Sequence, residues 1–307
     1  VKPPRPTLAI TGGTGFVGST LIRHAARRGH PVSALTRRPQ EALKGVNWID
    51  GALDRPDSLK RLVEGADAVI HVAGVVNARD RAGFAAGNAE GTLAMVEATK
   101  AAGVRRFVHV SSLAAREPEL SDYGWSKARA EQIVAASGLD WTAVRPPAVY
   151  GPGDLELLEL FRMAKRRLIL LPPPGRISVI EVSDLSRLLL SLVPESEETL
   201  TRVFEADDGR PGGWSHAEFA EAIAAAVGRR AAAVHAPPGL LRLAARADRL
   251  IRRGRAKLTP DRAAYFCHPD WVIDPAQRPP VAIWQPHIAT LIGLKATANA
   301  YRAARLL

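Results

Sequence analysis

The stretch Thr11-Gly-Gly-Thr-Gly-Phe-Val-Gly18 decides the fold. It follows the apolar run Leu8–Ile10 and opens an amphipathic segment, Gly15–Arg28, so it reads as strand, tight turn and helix. Glycines at Gly12, Gly15 and Gly18 give the spacing G-x-x-G-x-x-G. In such a turn one glycine permits the reversal, one lets backbone N–H groups approach a pyrophosphate, and one allows close helix packing. The helix N-terminus near Gly15 adds about half a positive charge beneath the phosphates. Glycines alone mark only a turn; their place between a first strand and a helix makes this a dinucleotide loop.

Beyond the loop, short apolar runs alternate with helix-length segments. Val32–Leu35, Ala68–Val72, Phe107–Val110 and Trp141–Val144 lack polar alternation, as strands buried on both faces of a parallel sheet do. Pro56–Val63, Arg81–Ala102 and Asp122–Ser137 read as the intervening helices. The alternation predicts an α/β fold with a doubly wound parallel sheet and right-handed crossovers. After Pro152 the rhythm changes: a helix over Leu155–Arg167, a proline-rich loop over Leu168–Gly175, a strand at Ser178–Val182 and a helix over Ser183–Val193. Ser215 and Glu218 form a capping box for a helix reaching Val227. From Pro237 an amphipathic helix carries Leu240, Leu243, Ala247, Leu250 and Ile251 on one face. The expected division is a cofactor domain over 1–152, with the chain returning to it around 176–206, and a smaller C-terminal substrate lobe over most of 153–307.

The 307 residues, 47% hydrophobic and 24% charged, have a soluble globular composition. The uncharged stretch Ala68–Ala78 is far shorter than the ~18 residues of a spanning helix. No basic n-region followed by an apolar run opens the sequence, and the single cysteine, Cys267, excludes an internal disulfide framework and a cysteine-based zinc site. A cytoplasmic location is expected. The net charge of +11 concentrates after Gly209, where 15 basic residues face 6 acidic ones. No nucleic-acid recognition motif accompanies it, so nucleic acid is not an expected partner. The stretch Arg242–Lys257 holds seven basic residues and one acid, Asp248. Its plain reading is a lobe helix with its apolar face on the core and its arginines in water. A basic amphipathic helix also suits an anionic membrane surface, and an arginine here could reach an acidic substrate.

The second strand ends at Leu35, where the cofactor ribose is read. A 2′-hydroxyl calls for a carboxylate there and a 2′-phosphate for arginine. Thr36-Arg37-Arg38-Pro39 supplies arginine, with no acid before Glu41, and favours NADP(H) over NAD(H). Tyr123 and Lys127 stand four residues apart on one helix face. A cation about 4 Å from a phenol stabilises the phenolate by up to ~4 kcal/mol at an effective dielectric of about 20. That is roughly three units below the ordinary pKa of ~10. Upstream, Phe107–Val110 runs into Ser111 and Ser112 at the carboxyl edge of the sheet, where ligands bind in open α/β folds. His71, His216, His235, His268 and His287 show no metal-ligand spacing, and no metal site is expected.

These residues together resemble the short-chain dehydrogenase/reductase superfamily, in its extended or atypical branch with the NAD(P)-dependent epimerases and dehydratases. The matching motifs are T-G-G-T-G-F-V-G at Thr11–Gly18, H-V-A-G at His71–Gly74, N-A-E-G-T at Asn88–Thr92, V-S-S-L at Val110–Leu113 and Y-x-x-x-K at Tyr123–Lys127. R-P-P-A-V-Y-G-P-G at Arg145–Gly153 and V-I-E-V-S-D-L at Val179–Leu185 complete them. The resemblance implies a Rossmann-type sheet. It places Gly12, Thr14, Gly15, Phe16, Val17, Arg37, Leu53 and Asn88 at the cofactor, Ala73 and Gly74 on its adenosine side, and Pro146–Val149 at the nicotinamide. It also implies Ser112, Tyr123 and Lys127 as a catalytic triad, the last two touching cofactor as well, and a possible homodimer. Two features depart from the pattern. Ala52-Leu53 stands where an acid and an apolar residue are usual near the adenine, and Ser112 and Tyr123 are only 11 residues apart. Sugar-nucleotide enzymes carry a longer segment there; the short one resembles atypical members, some of which bind cofactor as assembly or stability subunits without turnover.

The expectation is therefore an NAD(P)-dependent oxidoreductase or epimerase acting on a small molecule. Hydride would move between nicotinamide C4 and a carbonyl or carbinol carbon. Dehydration ranks last, since Glu117 and Glu119 are the nearest acids to the catalytic serine. The rival is a non-catalytic cofactor-binding scaffold that uses its basic C-terminal surface for a protein or membrane partner.

Overall fold

A computed structural model of the protein describes residues 5–252 and 259–307. Seven parallel strands form the central sheet: β1 (Leu8–Thr11), β2 (Val32–Thr36), β3 (Val46–Asp50), β4 (Ala68–His71), β5 (Arg106–Val110), β6 (Asp140–Arg145) and, from later in the chain, β11 (Arg202–Glu205). Their order is β11-β6-β5-β4-β1-β2-β3, which reverses direction beside β1, so the β1 and β4 loops flank one crevice. The helices α1 (Phe16–Arg27), α2 (Pro56–Val63), α3 (Arg81–Phe84), α4 (Gly91–Ala101), α5 (Asp122–Ala135), α6 (Leu158–Lys165) and α7 (Val182–Ser191) follow in turn. Leu21 and Ile22 of α1 pack with Leu185, Leu188 and Leu189 of α7 on one face of the sheet. Leu59 and Leu62 of α2, Met95 of α4 and Val134 of α5 cover the other.

Among the described residues the lobe is assembled from short ribbons and five helices, α6 being the first. β7 (Ala148–Tyr150) pairs with β10 (Val179–Glu181), β8 (Leu168–Leu171) with β13 (Ala232–His235), and β9 (Arg176–Ile177) lies between β12 (Trp214–Ser215) and β14 (Asp270–Trp271). Helices α8 (His216–Ala226), α9 (Pro238–Arg252), α10 (Pro260–Cys267) and α11 (Thr290–Ala303) complete it. Its core gathers Tyr150, Phe161, Ile169, Phe219, Leu294 and Tyr301. Among the described residues no helix is long and apolar enough to cross a membrane.

Three local readings change. Leu168–Leu171, expected as loop, is a strand, because alternate residues find a core on one side and a parallel partner in β13. The helix expected over Arg81–Ala102 is interrupted by a π-helical turn at Ala85–Glu90. In α9 the described part of the expected apolar face does not lie on the core: Leu240, Leu243 and Ala247 are exposed while Ala245 is buried. Docking through that small residue leaves Leu240 and Leu243 outside; the side chains of Leu250 and Ile251 lie outside the described ones. Residues 253–257 of the basic stretch lie outside the described residues.

Candidate functional site

The glycine loop is shaped by contacts only glycine permits. Gly12 has φ +70°, and a Cβ there would fall 2.7 Å from the Ala73 backbone nitrogen, so the β1 and β4 loops touch backbone to backbone. A Cβ on Gly18 would run into the Gly12 carbonyl oxygen, which brings α1 against the turn. Gly15 caps α1 with no side-chain hydrogen bond, and no acid stands in the first turn. The first N–H groups of α1 are thus left for an outside acceptor at the positive end of the helix. An uncapped, acid-free helix start over a glycine turn fits a dinucleotide pyrophosphate. Thr14 is exposed at this edge, Phe16 and Val17 are half-buried, and Gly153 lies against Phe16.

Around the crevice the other expected cofactor residues take distinct places. Arg37 is exposed just past β2, in a turn fixed by Thr36 Oγ1 donating to Arg38 O at 2.6 Å. Leu53 follows β3 and packs against Gly91 at the start of α4, where a Cβ would fall 2.7 Å from Leu53 Cδ1. Ala73 N donates to Thr11 Oγ1 at 3.1 Å. A Cβ on Gly74 would lie 2.8 Å from Asn88 Oδ1 and 3.8 Å from Lys127 Nζ, so this glycine brings the β4 loop up to the lysine. Asn88 sits on the π-helical turn, and its amide is fully engaged by the protein. Oδ1 accepts from Val75 N at 2.7 Å, and Nδ2 donates to Val75 O and to Ser126 Oγ at 3.0 and 2.8 Å. It positions the loop and α5. Pro146 O accepts from Leu113 N at 3.0 Å, and Val149 lies half-buried in β7.

Ser112, Tyr123 and Lys127 come together where β5 ends. Ser112 caps the short 3-10 turn Leu113–Arg116, accepting from Ala114 N at 3.2 Å, and its hydroxyl stands close enough to the Tyr123 phenol to draw its pKa down. Tyr123 is in the first turn of α5, whose cap Ser121 accepts from Gly124 N at 3.0 Å. One turn on, Lys127 is buried and donates from Nζ to Val110 O at 2.8 Å. Burial lowers its pKa to about 8, against an upward pull from Glu131. The phenol moves upward, pushed by burial against an opposing pull from the Ser112 hydroxyl. That direction is opposite to the lowering expected from the tyrosine–lysine spacing, because burial dominates and no pull from Lys127 offsets it. Tyr123 is therefore a protonated phenol at neutral pH.

Reading the sequence missed the groups behind these three. Glu131, one further turn along α5, accepts from Ser111 Oγ at 2.5 Å and holds Arg145 through Nε and Nη2 at 2.8 and 2.6 Å. The continued four-residue spacing Tyr123, Lys127, Glu131 was the available signal. Ser126, which donates to Tyr123 O at 2.8 Å, gave none, since its pairing with Asn88 is tertiary. His71 is structural, bonded to Thr11 Oγ1 and Thr92 Oγ1 at 2.8 and 3.1 Å. Among the described residues no group of three or more His, Cys, Asp or Glu could hold a metal ion.

Tyr123 packs in a cluster with Leu113, Leu120, Tyr265, Trp271 and Ile273, and Tyr265 stacks on Trp271 at 4.5 Å. A cleft of about 820 Å³ opens next to Tyr123 at Asp122 and Phe84, with polar and charged side chains predominating in its walls. Its walls are the 77–81 loop, Phe84, the 118–122 turn and Thr259–Asp261.

A doubly wound sheet with an uncapped glycine turn and a serine, tyrosine and lysine at its carboxyl edge defines a nicotinamide-dinucleotide oxidoreductase class. Comparison with known proteins narrows it. An NAD(P)H-binding family matches residues 12–156. A ceramide reductase of Caulobacter vibrioides is 37% identical over 310 residues, covering 98% of this chain and 96% of that protein. A 2-alkyl-3-oxoalkanoate reductase of Stenotrophomonas maltophilia is 34% identical over 185 residues, covering 52% of this chain and 55% of that one. The Bordetella bronchiseptica enzyme WbmG, solved with NAD and UDP, shares the fold with a TM-score of 0.74 at 18% identity, covering 98% of this chain and 96% of that one. The chain belongs to the extended short-chain dehydrogenase/reductase family of NAD(P)-dependent reductases, epimerases and dehydratases. It is an enzyme of that class, and the scaffold alternative is set aside.

Proposed function

We propose that the protein is an NADP(H)-preferring reductase that turns a ketone on a long-chain, ceramide-like lipid into the alcohol. The observation that carries this reading is the similarity to the Caulobacter ceramide reductase, 37% identical along almost the whole of both chains. The half-buried Leu120 and Tyr265, packed with Tyr123 on a small apolar core, support it. The bound nicotinamide supplies the hydride at C4. The Ser112 hydroxyl holds the ketone oxygen, and the Tyr123 phenol, kept protonated by burial, gives that oxygen its proton. Lys127, still mostly charged at pH 7 with its pKa at about 8, holds the cofactor ribose beside Gly74. Arg37 and Arg38 take the 2′-phosphate in place of a ribose-binding acid. Ketone, hydride and proton together balance as the alcohol.

Loss of absorbance on NADPH oxidation, with an N-acylated long-chain ketone as substrate, tests the reading. Turnover is expected with NADPH and markedly less with NADH. Tyr123→Phe should lower kcat at least about a hundredfold while cofactor affinity stays within about twofold. Equal rates with the two cofactors would remove the arginine assignment. Turnover of UDP-glucose in place of the lipid would remove the substrate assignment, and an unaffected Tyr123→Phe variant the tyrosine's role.

A further inference from the structure

One face of the C-terminal lobe is apolar and uncovered. β8 and β13 run in parallel with Leu168 beside Ala232 and Leu170 beside Val234. Strand alternation sends Ile169 and Leu171 into the lobe core, and leaves Leu168, Leu170 and Val234 exposed at 55%, 51% and 48%. Ala236 and Pro237 lead straight into α9, whose Leu240 and Leu243 are exposed at 55% and 63%. Single surface leucines need no explanation, but a run of five large apolar side chains on adjoining elements marks a contact surface.

The rim of this face is basic. Lys165, Arg166 and Arg167 precede β8, Arg229 and Arg230 precede β13, and all five are exposed. Ala232 N donates to Arg167 O at 2.9 Å, which holds the two turns side by side. None of the five belongs to an ion pair among the described residues. No Asp or Glu occurs from Lys165 to Pro172 or from Gly228 to Leu240. Apolar side chains bordered by cations of one sign complement an anionic lipid surface, with leucines at the acyl boundary and arginines at the phosphates. A two-fold contact between copies of this chain would instead bring two basic rims together.

We propose that this face, formed by the β8–β13 ribbon and the start of α9, docks the enzyme on an anionic membrane. α9 packs against α10, whose first residues Pro260 and Asp261, with Thr259 before them, edge the cleft beside Tyr123. Docking through α9 therefore brings the cleft rim towards the lipid. The inference goes beyond the lipid-ketone reading and does not depend on it.

Flotation of the purified protein with phosphatidylcholine vesicles containing phosphatidylglycerol, compared with vesicles of phosphatidylcholine alone, tests the proposal. The protein should rise with the anionic vesicles and stay behind with the neutral ones. Leu168→Ser with Leu170→Ser, and separately Arg166→Glu with Arg229→Glu, should each cut recovery roughly tenfold or more at an unchanged melting temperature. No flotation of the unaltered protein, or equal flotation of both variants, would overturn it. So would a solution dimer, seen by sedimentation, that the serine variant dissociates while vesicles bind nothing. No turnover is read, so failure here leaves the substrate assignment standing.

Discussion

His71 and His109 stack between β4 and β5 with ring centroids 5.6 Å apart, both wholly buried. The two threonines anchor His71, whereas neither ring nitrogen of His109 has a hydrogen-bond partner among the described residues. Burial, with the Lys127 charge nearby, lowers His71 to about 3 and His109 well below its ordinary value. Both rings are neutral in the folded protein, while in the unfolded chain they titrate near about 6.5. Below that pH the unfolded chain binds the extra protons, so stability should fall from about pH 6.5 down towards about 3. His109→Leu should flatten this acid slope, read from urea midpoints across that range. It should also raise stability at neutral pH by about 1 kcal/mol, because it removes buried polar atoms that lack partners. An unchanged slope would mean that other groups govern acid unfolding.

The helix that carries the tyrosine is held at its start by the lobe. Asp122 N donates to the Asp261 carboxylate on α10 at 2.5 Å, while Thr259 caps α10 by accepting from Arg262 N at 3.2 Å. Asp261→Ala should cost about 1 kcal/mol, as the loss of a helix cap does. With Tyr123 in that first turn, it should lower kcat and leave the KM for NADPH unchanged; a change confined to KM would place the effect elsewhere. Elements were legible in the sequence where burial is two-sided. β1, β2, β4, β5 and β6 are each built round a short apolar run and announce themselves, but β3, Val-Asn-Trp-Ile-Asp at the sheet edge, is half wet and carries no such signal. Leu168–Leu171 gave way to the prolines behind it, because its partner β13 lies far along the chain. Within the site, Tyr123 and Lys127 could be read from one helix face. Asn88 was visible only as a motif letter, since a π-helical turn aims its amide at Val75 and Ser126.

Across the whole molecule, one buried carboxylate ties the sheet to the lobe. Glu205 on β11 faces Arg145 of β6 and Arg116 beyond β5, each at 3.4 Å, and accepts from Asp274 N at 2.8 Å. Arg116 donates onward to Val272 O at 2.8 Å, and Arg145 grips Glu131 of α5. Removing a buried partner leaves its arginines uncompensated, so Glu205→Ala should lower the unfolding free energy in urea by about 3–5 kcal/mol. A loss under about 1 kcal/mol would show that the bridge is replaceable. The ribbon at the centre of the lobe bears on how the protein is made. β9 faces β14, with Arg176 beside Asp270 and Ile177 beside Trp271, so its partner strand is made well after it. The β1–β2, β2–β3 and β4–β5 neighbours are joined by short crossovers, and pairings close in sequence form before distant ones. A nascent chain leaving the ribosome can thus fashion its glycine turn and neighbouring strands before the ribbon of the lobe closes. The Rossmann half can stand assembled while β9 still waits for the strand that completes its pairing.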